Sequence, residues 1–211
     1  MSFPSLKLTY FNFAARGETT RLALTIGDVP FEDERIDYTT WAKRKALMPY
    51  KKMPVLTVDG QMLCQSHAIA RYVAKLARLY PTDNHLAACR VDEVTDSVDE
   101  FILLLATVFL EHDPAKRVAI ADELANDTLP DKFAMLEARL AETAATNRPW
   151  YLDAISLADL EIYHLVHTFK SGFLPEMPKD YCDQYTRTMA IYKAAASHPK
   201  VAAWNAAHKT T

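Results

Sequence analysis

One segment, from Lys52 to Tyr72, constrains the fold of this chain more than any other. Asp59-Gly60 is typical of a two-residue hairpin turn, and it separates the apolar run Val55–Val58 from a second run at Gln61–Cys64. Ser66 follows directly, as a cap for a helix whose apolar residues recur at helical spacing. The segment therefore predicts an antiparallel hairpin that leads straight into a helix.

The same segment offers two surfaces that suit a peptide-like ligand. Pro54 cannot donate to a strand ladder, so it belongs at the strand entrance, and Met53-Pro54 is a candidate for the cis isomer. The Met53 backbone is then left to pair with an extended ligand. The helix start at Gln65 and Ser66 presents unpaired N–H groups and a partial positive charge, which favour a carboxylate. An ordinary hairpin and helix explain the same pattern without a ligand.

Composition excludes several classes of protein. The 211 residues are 50% hydrophobic and 24% charged, which suits one or two globular domains with an ample core. A net charge of −3 gives no reason to expect nucleic acid as a partner. No apolar run reaches the roughly 18 residues of a membrane span. No apolar leader follows Met1, so we expect a cytoplasmic protein without membrane contact.

Metal and nucleotide sites are not indicated either. The cysteines Cys64, Cys89 and Cys182 form no CxxC pair, which argues against a disulfide framework and against a zinc site. His164 and His167 lie three residues apart, but no carboxylate or cysteine partner is evident, so no metal is expected. With four glycines in the whole chain, there is no glycine-rich phosphate loop.

The order of predicted elements divides the chain in two. Before a linker at Leu79–Asp83, strands and helices alternate, which indicates an α/β layer. The elements ahead of the hairpin are a strand at Leu6–Tyr10, a helix through Arg21 to Gly27, a strand at Phe31–Ile36 and a loose helix around Trp41–Met48. Beyond the linker the periodicity is entirely helical. We predict an α/β domain at residues 1–82 and an all-α domain at residues 83–211.

The longest predicted helix runs from His85 to Glu111, because its apolar residues fall at steps of three and four. Arg117–Ala144 is another helical stretch, which Pro130 is expected to kink. Ser156-Leu157-Ala158-Asp159 forms a capping box at the start of a helix that reaches Phe169. Two further helices are predicted at about Gln184–Ser197 and Lys200–His208.

Two motifs in the first half resemble the cytosolic glutathione transferases, and the sigma class most of all. They are Lys7-Leu8-Thr9-Tyr10-Phe11-Asn12 and the Met-Pro-Val-Leu, Asp-Gly and Gln-Ser-x-Ala-Ile-Ala-Arg-Tyr pattern between Met53 and Tyr72. The resemblance is looser beyond them. It implies a thioredoxin-like α/β domain followed by an all-α domain, in a homodimer that adds the glutathione thiolate to hydrophobic electrophiles. Glutathione as co-substrate brings the nucleophile, so no metal or bound cofactor is implied.

The resemblance also implies roles for individual residues. Taken alone, a tyrosine at a strand end is usually packing, but Tyr10 matches the residue that donates a hydrogen bond to the thiolate and lowers its pKa. Arg16 matches an arginine near the thiolate, although the family usually has Gly-Arg-Ala where this chain has Ala15-Arg16-Gly17. The other implied glutathione contacts are Trp41, Lys45, Lys52, Met53, Pro54, Gln65, Ser66 and, from the partner subunit, Asp99 or Glu100. Candidates for the electrophile pocket are Phe11, Ile102, Leu105 and Thr107, although an apolar stripe is more often core.

Two alternatives to a transferase remain open. The same thiolate serves a glutathione-dependent isomerase of the prostaglandin type, or a peroxidase. The fold also occurs in non-catalytic structural or ligand-carrying proteins. The joint presence of Tyr10, Lys45, Gln65 and Ser66 favours an enzyme, because a scaffold would not require all four.

Overall fold

The computed structural model describes residues 3–142 and 148–208. The strands are β1 (Leu6–Phe11), β2 (Glu32–Ile36), β3 (Val55–Val58) and β4 (Gln61–Cys64). The helices are α1 (Glu18–Ile26), α2 (Tyr38–Arg44), α3 (Ser66–Leu76), α4 (His85–Leu110), α5 (Pro114–Glu123), α6 (Leu129–Glu142), α7 (Leu157–Lys170), α8 (Thr186–Ser197) and α9 (Pro199–Ala207). None of the helices within these ranges is long and apolar enough to cross a membrane.

The four strands form one mixed sheet in the order β2-β1-β3-β4. In sequence, α1 follows β1, α2 follows β2 and α3 follows β4. β1 runs parallel to β2 and antiparallel to β3, so the connection from β1 to β2 needs a crossover, and α1 provides it. This arrangement confirms the predicted thioredoxin-like first half, followed by a helical second half.

The predicted hairpin is confirmed in its register and in its turn. Val58 pairs with Gln61, which leaves Asp59 and Gly60 as a two-residue loop. Their φ angles are 45° and 84°, the pair of positive values that a type I′ turn requires. The peptide bond between Met53 and Pro54 is cis, as the sequence suggested.

By its internal contacts, the chain separates into two compact units. The first extends to Ala88 and also includes the segment from His198, and the second is Cys89–Ser197. These units differ from the predicted domains at residues 1–82 and 83–211 because α9 packs against α1. Two hydrogen bonds fix α9 there: Lys200 Nζ donates to the carbonyl oxygen of Ile26 (2.8 Å), and Trp204 Nε1 donates to Glu18 Oε1 (2.7 Å).

The long helix α4 has the predicted amphipathic face. Its core-facing residues are buried at every predicted step: Val91, Val94, Val98, Phe101, Leu105 and Val108. The stretch predicted at 117–144 begins earlier, with α5, and passes through a π-helical segment, Leu124–Thr128, into α6. Pro130, which was expected to kink this stretch, is the second residue of α6 and directly follows the residue after the π-helical segment. Ala144 lies outside the described residues.

The capping box at the start of α7 is confirmed. The Asp159 carboxylate accepts hydrogen bonds from the backbone N–H of Ser156 (2.8 Å) and of Tyr151 (2.7 Å). Because both donors are buried, the box also ties the segment before α7 to the helix.

Candidate active site

Tyr10 lies near the carboxyl end of β1, and only 6% of it is exposed. The rings of Phe11 and Phe13 stand edge-on to it, with centroids 5.7 Å and 5.8 Å away. Burial raises the pKa of Tyr10 to about 12, against the lowering effect of the Arg16 and Arg21 charges and of a backbone hydrogen bond from Arg16. The hydroxyl is therefore protonated at neutral pH and can donate a hydrogen bond to an anion.

Arg16 joins the two motifs that the sequence singled out. It lies in the loop after β1, and its Nη1 donates a hydrogen bond to Ser66 Oγ (3.3 Å), which lies 50 residues further along the chain. The fold thus brings the start of α3 to the loop that follows Tyr10. A cation, a buried hydroxyl donor and a helix start lie in neighbouring loops, which is a suitable arrangement for a ligand with a thiolate and a carboxylate.

The start of α3 differs from the prediction in one respect. Ser66 was expected to cap the helix, but it is the first helical residue, and Gln65 occupies the cap position. An N-cap residue normally has extended backbone, whereas Gln65 has φ 74° and ψ 111°. Within the part of the chain that the structure describes, the Gln65 side chain forms no capping hydrogen bond. The strained backbone of Gln65 is of the kind that clusters at binding sites.

Trp41 lies in α2, and Lys45 follows the last residue of that helix. The Lys45 N–H donates to the Trp41 carbonyl, which gives the two residues helical geometry, and the Lys45 side chain is exposed. The Trp41 ring lies edge-on to Phe11, with centroids 6.4 Å apart. Lys52 is also exposed, whereas Met53 is half-buried and Pro54 is buried. The pairing of β3 begins at Val55, so Met53 precedes the paired part of the strand.

Arg21 is a residue that the sequence analysis did not identify as part of the site. Its side chain is completely buried on α1, and it donates to the carbonyl oxygens of Phe11 (2.9 Å) and Phe13 (3.0 Å). It also bonds Asp33 on β2 (3.0 Å) and Glu18 on its own helix (3.2 Å). Arg21 therefore holds the loop after Tyr10 to the sheet. The available signal was an arginine beside Leu22 and Leu24 on an apolar helix face, because a buried charge must have partners.

Tyr38, at the start of α2, was also missed. Its ring is 62% exposed, and its centroid is 4.6 Å from that of Phe11. Phe13 stacks on Phe11 as well, at 5.3 Å. Phe11, one of the predicted pocket residues, is thus part of an aromatic surface next to Tyr10.

The other three predicted pocket residues belong to the second unit, on α4. Ile102 is half-buried, Leu105 is 2% exposed and Thr107 is exposed, with its hydroxyl donating to the Leu104 carbonyl. Asp99 is on the same helix and is half-buried. Leu105 lies on the core-facing side of α4, whereas Ile102 and Thr107 retain exposed surface that a ligand could contact.

The predicted histidine pair has other partners in the fold. The His167 ring stacks on Tyr163, with centroids 5.4 Å apart, and His164 is buried. Across residues 3–142 and 148–208, no three His, Cys, Asp or Glu side chains are grouped so that they could hold a metal ion. Cys64 donates from its Sγ to the Pro49 carbonyl (3.6 Å), and burial raises the pKa of its thiol.

Two family models match this chain. The N-terminal domain of the glutathione S-transferases matches residues 6–75, and the C-terminal domain of the same family matches residues 99–208. The chain belongs to the glutathione S-transferase family. Both halves of the transferase fold described above are therefore covered by a matching model.

Individual relatives agree with this assignment. The chain is 31% identical over 204 residues to the hematopoietic prostaglandin D synthase of Gallus gallus, covering 95% of each chain. It is 38% identical over 178 residues to a glutathione S-transferase of Anopheles gambiae, covering 83% of this chain and 86% of the relative. Among solved transferase-fold structures, the prostaglandin synthase D of Nilaparvata lugens superposes with a TM-score of 0.83 at 32% identity, covering 95% of this chain and 96% of the other.

Proposed function

We propose that this protein is a glutathione transferase that binds glutathione, holds its thiol as the thiolate at Tyr10, and adds the sulfur to a hydrophobic electrophile. The observation that carries the proposal is the position of the buried, protonated Tyr10 hydroxyl. This hydroxyl accepts a hydrogen bond from the backbone N–H of Arg16, and the Arg16 side chain donates to Ser66 at the start of α3. Family membership supports the same chemistry.

The thiolate is made by shifting an ionisation equilibrium. A hydrogen bond from Tyr10 favours the charged sulfur over the neutral thiol, and the fixed charge of Arg16 acts in the same direction. The proton leaves to solvent, and the sulfur then forms a bond to an electrophilic carbon. In a substitution the leaving group departs with its electron pair, and in an addition the π electron pair moves to the neighbouring atom, which takes a proton from solvent. Tyr10 keeps its own proton throughout, because its pKa of about 12 lies far above that of a bound thiol.

The rest of the site positions glutathione. Gln65 and Ser66 bind the carboxylate of the γ-glutamyl end at the start of α3, and the backbone of Met53, before Pro54, pairs with the cysteinyl part. The glycyl carboxylate lies at the exposed cations Lys45 and Lys52, beside Trp41.

In this proposal Asp99 of a second copy contacts the glutamyl amine, so the active form is a homodimer. The electrophile contacts Phe11, on the aromatic surface beside Tyr10. The pocket roles of Ile102, Leu105 and Thr107 stay predictions.

A glutathione-dependent isomerase is the second candidate. The observation that favours it is the similarity over 95% of the chain to a protein named prostaglandin D synthase. The proposed thiolate serves both reactions, so the choice depends on the electrophile. In either case we infer a cytoplasmic enzyme, and a role in detoxification follows if the transferase reaction dominates.

The experiment that tests the proposal compares wild type with Tyr10→Phe. The substitution keeps the ring and removes a charge-assisted hydrogen bond of about 1.5–3 kcal/mol. The pKa of bound glutathione should rise by about one to two units, and turnover near neutral pH should fall by about ten- to a hundredfold. The measurement is the ultraviolet absorbance of the bound thiolate against pH, together with the conjugation rate. Tyr50→Phe, at an exposed tyrosine of the same unit, is the matched control.

The high pKa of Tyr10 adds an expectation about the shape of the pH profile. The rate should rise once, through the ionisation of the bound thiol, and should then stay level up to about pH 10, where an unperturbed tyrosine would already be half ionised. Superimposable thiolate titrations and equal turnover for the two proteins would reduce Tyr10 to a packing residue. Arg16 would then be the group to test.

A further inference from the structure

Trp204, on α9, contacts two charged residues of the first compact unit. Its Nε1 donates a hydrogen bond to Glu18 Oε1 (2.7 Å), at the start of α1. The guanidinium of Arg35, on β2, lies 5.8 Å from the centre of its ring, within the range of a cation–π contact. Glu18 is buried and Arg35 is half-buried, so both contacts are shielded from water.

The contact with Glu18 leads to Tyr10. The second carboxylate oxygen of Glu18 accepts a hydrogen bond from Arg21 Nη1 (3.2 Å), and the same nitrogen donates to the Phe13 carbonyl (3.0 Å). The Arg21 guanidinium also lies 5.6 Å from the centre of the Tyr10 ring. Because one nitrogen serves both acceptors, the position of the carboxylate affects how Arg21 meets the loop after β1.

The contact with Arg35 leads to the same loop. Arg35 donates from Nη1 to Asn12 Oδ1 (3.0 Å) and from Nε to Asp33 Oδ2 (2.7 Å). The other oxygen of Asp33 accepts a hydrogen bond from Arg21 Nε (3.0 Å). The indole of Trp204 is thus linked by two routes to residues 11–13, whose aromatic rings pack around Tyr10.

A second tether of α9 provides a comparison. Lys200 Nζ donates to the carbonyl oxygen of Ile26 (2.8 Å), the last residue of α1, and forms an ion pair with Asp28 (2.5 Å). These partners lie at the opposite end of α1 from Glu18. Both tethers hold α9 to α1, but the one at Trp204 ends on the residue that bonds Arg21.

We propose that Trp204 is a positioning residue for Tyr10, and that it acts through Glu18. The carboxylate fixes Arg21, and Arg21 fixes the loop against which the tyrosine ring packs. This inference rests on the proposed function, because the position of the hydroxyl matters only if it serves the thiolate. It assigns to α9 a part in setting the pKa of bound glutathione.

The test is Trp204→Phe, with Lys200→Met as the matched control. Phenylalanine keeps an aromatic ring beside Arg35 and removes the N–H that Glu18 accepts, whereas methionine removes the other tether. Both variants should melt earlier than wild type. Only Trp204→Phe should raise the pKa of the bound thiol, by about half a unit to one unit, and lower kcat near neutral pH by about three- to tenfold. The KM for glutathione should stay nearly unchanged in both.

A double-mutant cycle with Tyr10→Phe identifies the route of the effect. If Trp204 acts through the tyrosine hydroxyl, Trp204→Phe should not shift the thiolate titration further once that hydroxyl is gone. An equal shift in both backgrounds would overturn the inference. So would a wild-type titration in Trp204→Phe, or a shift in Lys200→Met as large as that in Trp204→Phe.

A crystal structure of Trp204→Phe separates this inference from the proposed function. If Arg21 and the Tyr10 hydroxyl keep their wild-type positions, the positioning role is overturned, whatever the activity of the wild type. A wild-type protein that does not bind glutathione overturns the proposed function instead. Displacement of Arg21 in the variant would still support the structural link from α9 to the loop.

Discussion

At the residue scale, the loop after β1 contains a conformation that its sequence does not favour. Ala15 has a φ of 137°, a value that glycine adopts freely and that costs other residues about 1–3 kcal/mol. Two residues later, Gly17 has an ordinary helical φ. The glycine of this loop therefore lies where the backbone does not require one, and the alanine next to Arg16 bears the backbone strain.

Relieving that strain should stabilise the protein. Ala15→Gly removes the unfavourable φ, and its gain exceeds the entropy that glycine loses on folding, so we expect about 1 kcal/mol of added stability. For a chain of this length that corresponds to a rise of about 2–4 °C in Tm. Thermal unfolding followed by circular dichroism measures it. Ala14→Gly is the matched control: Ala14 is not among the residues with positive φ, so the same change there should lower Tm.

The glutamyl clamp gives a second prediction at this scale. Ser66→Ala removes a hydroxyl at the start of α3 and its bond from Arg16, so binding should weaken by the roughly 1.5–3 kcal/mol of a hydrogen bond to a charged group. Because this contact is the same in the ground and transition states, the KM for glutathione should rise while kcat changes little. Steady-state kinetics at varied glutathione concentration tests this prediction. An unchanged KM would show that Ser66 does not bind the glutamyl carboxylate.

The sequence predicted some features of the fold and the site and not others. The Asp59-Gly60 turn, the cis Met53-Pro54 bond and the Ser156 capping box were predictable because each depends on a few adjacent residues. The role of Arg21 was not, since it follows from contacts of α1 with β2 and with the loop after Tyr10, which are distant from the helix in sequence. The ligand roles of Lys45, Lys52 and Asp99 stay predictions, because the contacts within one chain do not test which side chains hold a ligand.

At the scale of elements, Arg21 connects α1, β2 and the loop after β1. Its guanidinium is fully buried, and its bonds reach Asp33 on β2 and two carbonyls of the loop. A buried charge of this kind costs little while all its partners are present, but removing it takes a hydrogen bond from each of them. Asp33 would keep its bond from Arg35, whereas the two loop carbonyls would lose the guanidinium. The same loop carries Arg16, so the stability of the site depends on this one side chain.

Arg21→Met should therefore be strongly destabilising, by about 3–5 kcal/mol, because it leaves the carbonyl oxygens of Phe11 and Phe13 without this donor and leaves Asp33 with its bond from Arg35 alone. Arg44→Met is the control at a partly exposed ion pair, where loss of the bond to Glu34 should cost at most about 1 kcal/mol. Chemical denaturation of both variants gives the comparison. If both variants lost the same free energy of unfolding, the bonds of Arg21 would contribute no more than an ion pair at the surface.

At the scale of the whole molecule, the proposed dimer depends on acidic residues of α4. The acidic residues Asp92, Asp96 and Asp99 follow one another along α4, and each retains some exposed surface. A second copy related by two-fold symmetry could complete each site with one of them.

Asp99→Ala tests this arrangement. If Asp99 of one copy binds the glutamyl amine held by the other, the KM for glutathione should rise by about tenfold while the melting temperature stays close to wild type. Glu93→Ala is the control, since Glu93 forms its ion pair with Arg139 of its own chain (2.6 Å). Sedimentation of the wild type gives the stoichiometry, and a fully active monomer would rule out a site completed by a partner.

The packing of α9 on α1 has a consequence for how the protein is made. The bonds from Lys200 to Ile26 and from Trp204 to Glu18 span 174 and 186 residues. During synthesis, Tyr10, Arg16 and Ser66 leave the ribosome early, but the face of α1 that α9 covers stays open until translation has passed Trp204. The first compact unit thus begins to be synthesised first and is completed last. A chain released before Trp204 is synthesised has the proposed ligand contacts, but on a domain that lacks α9.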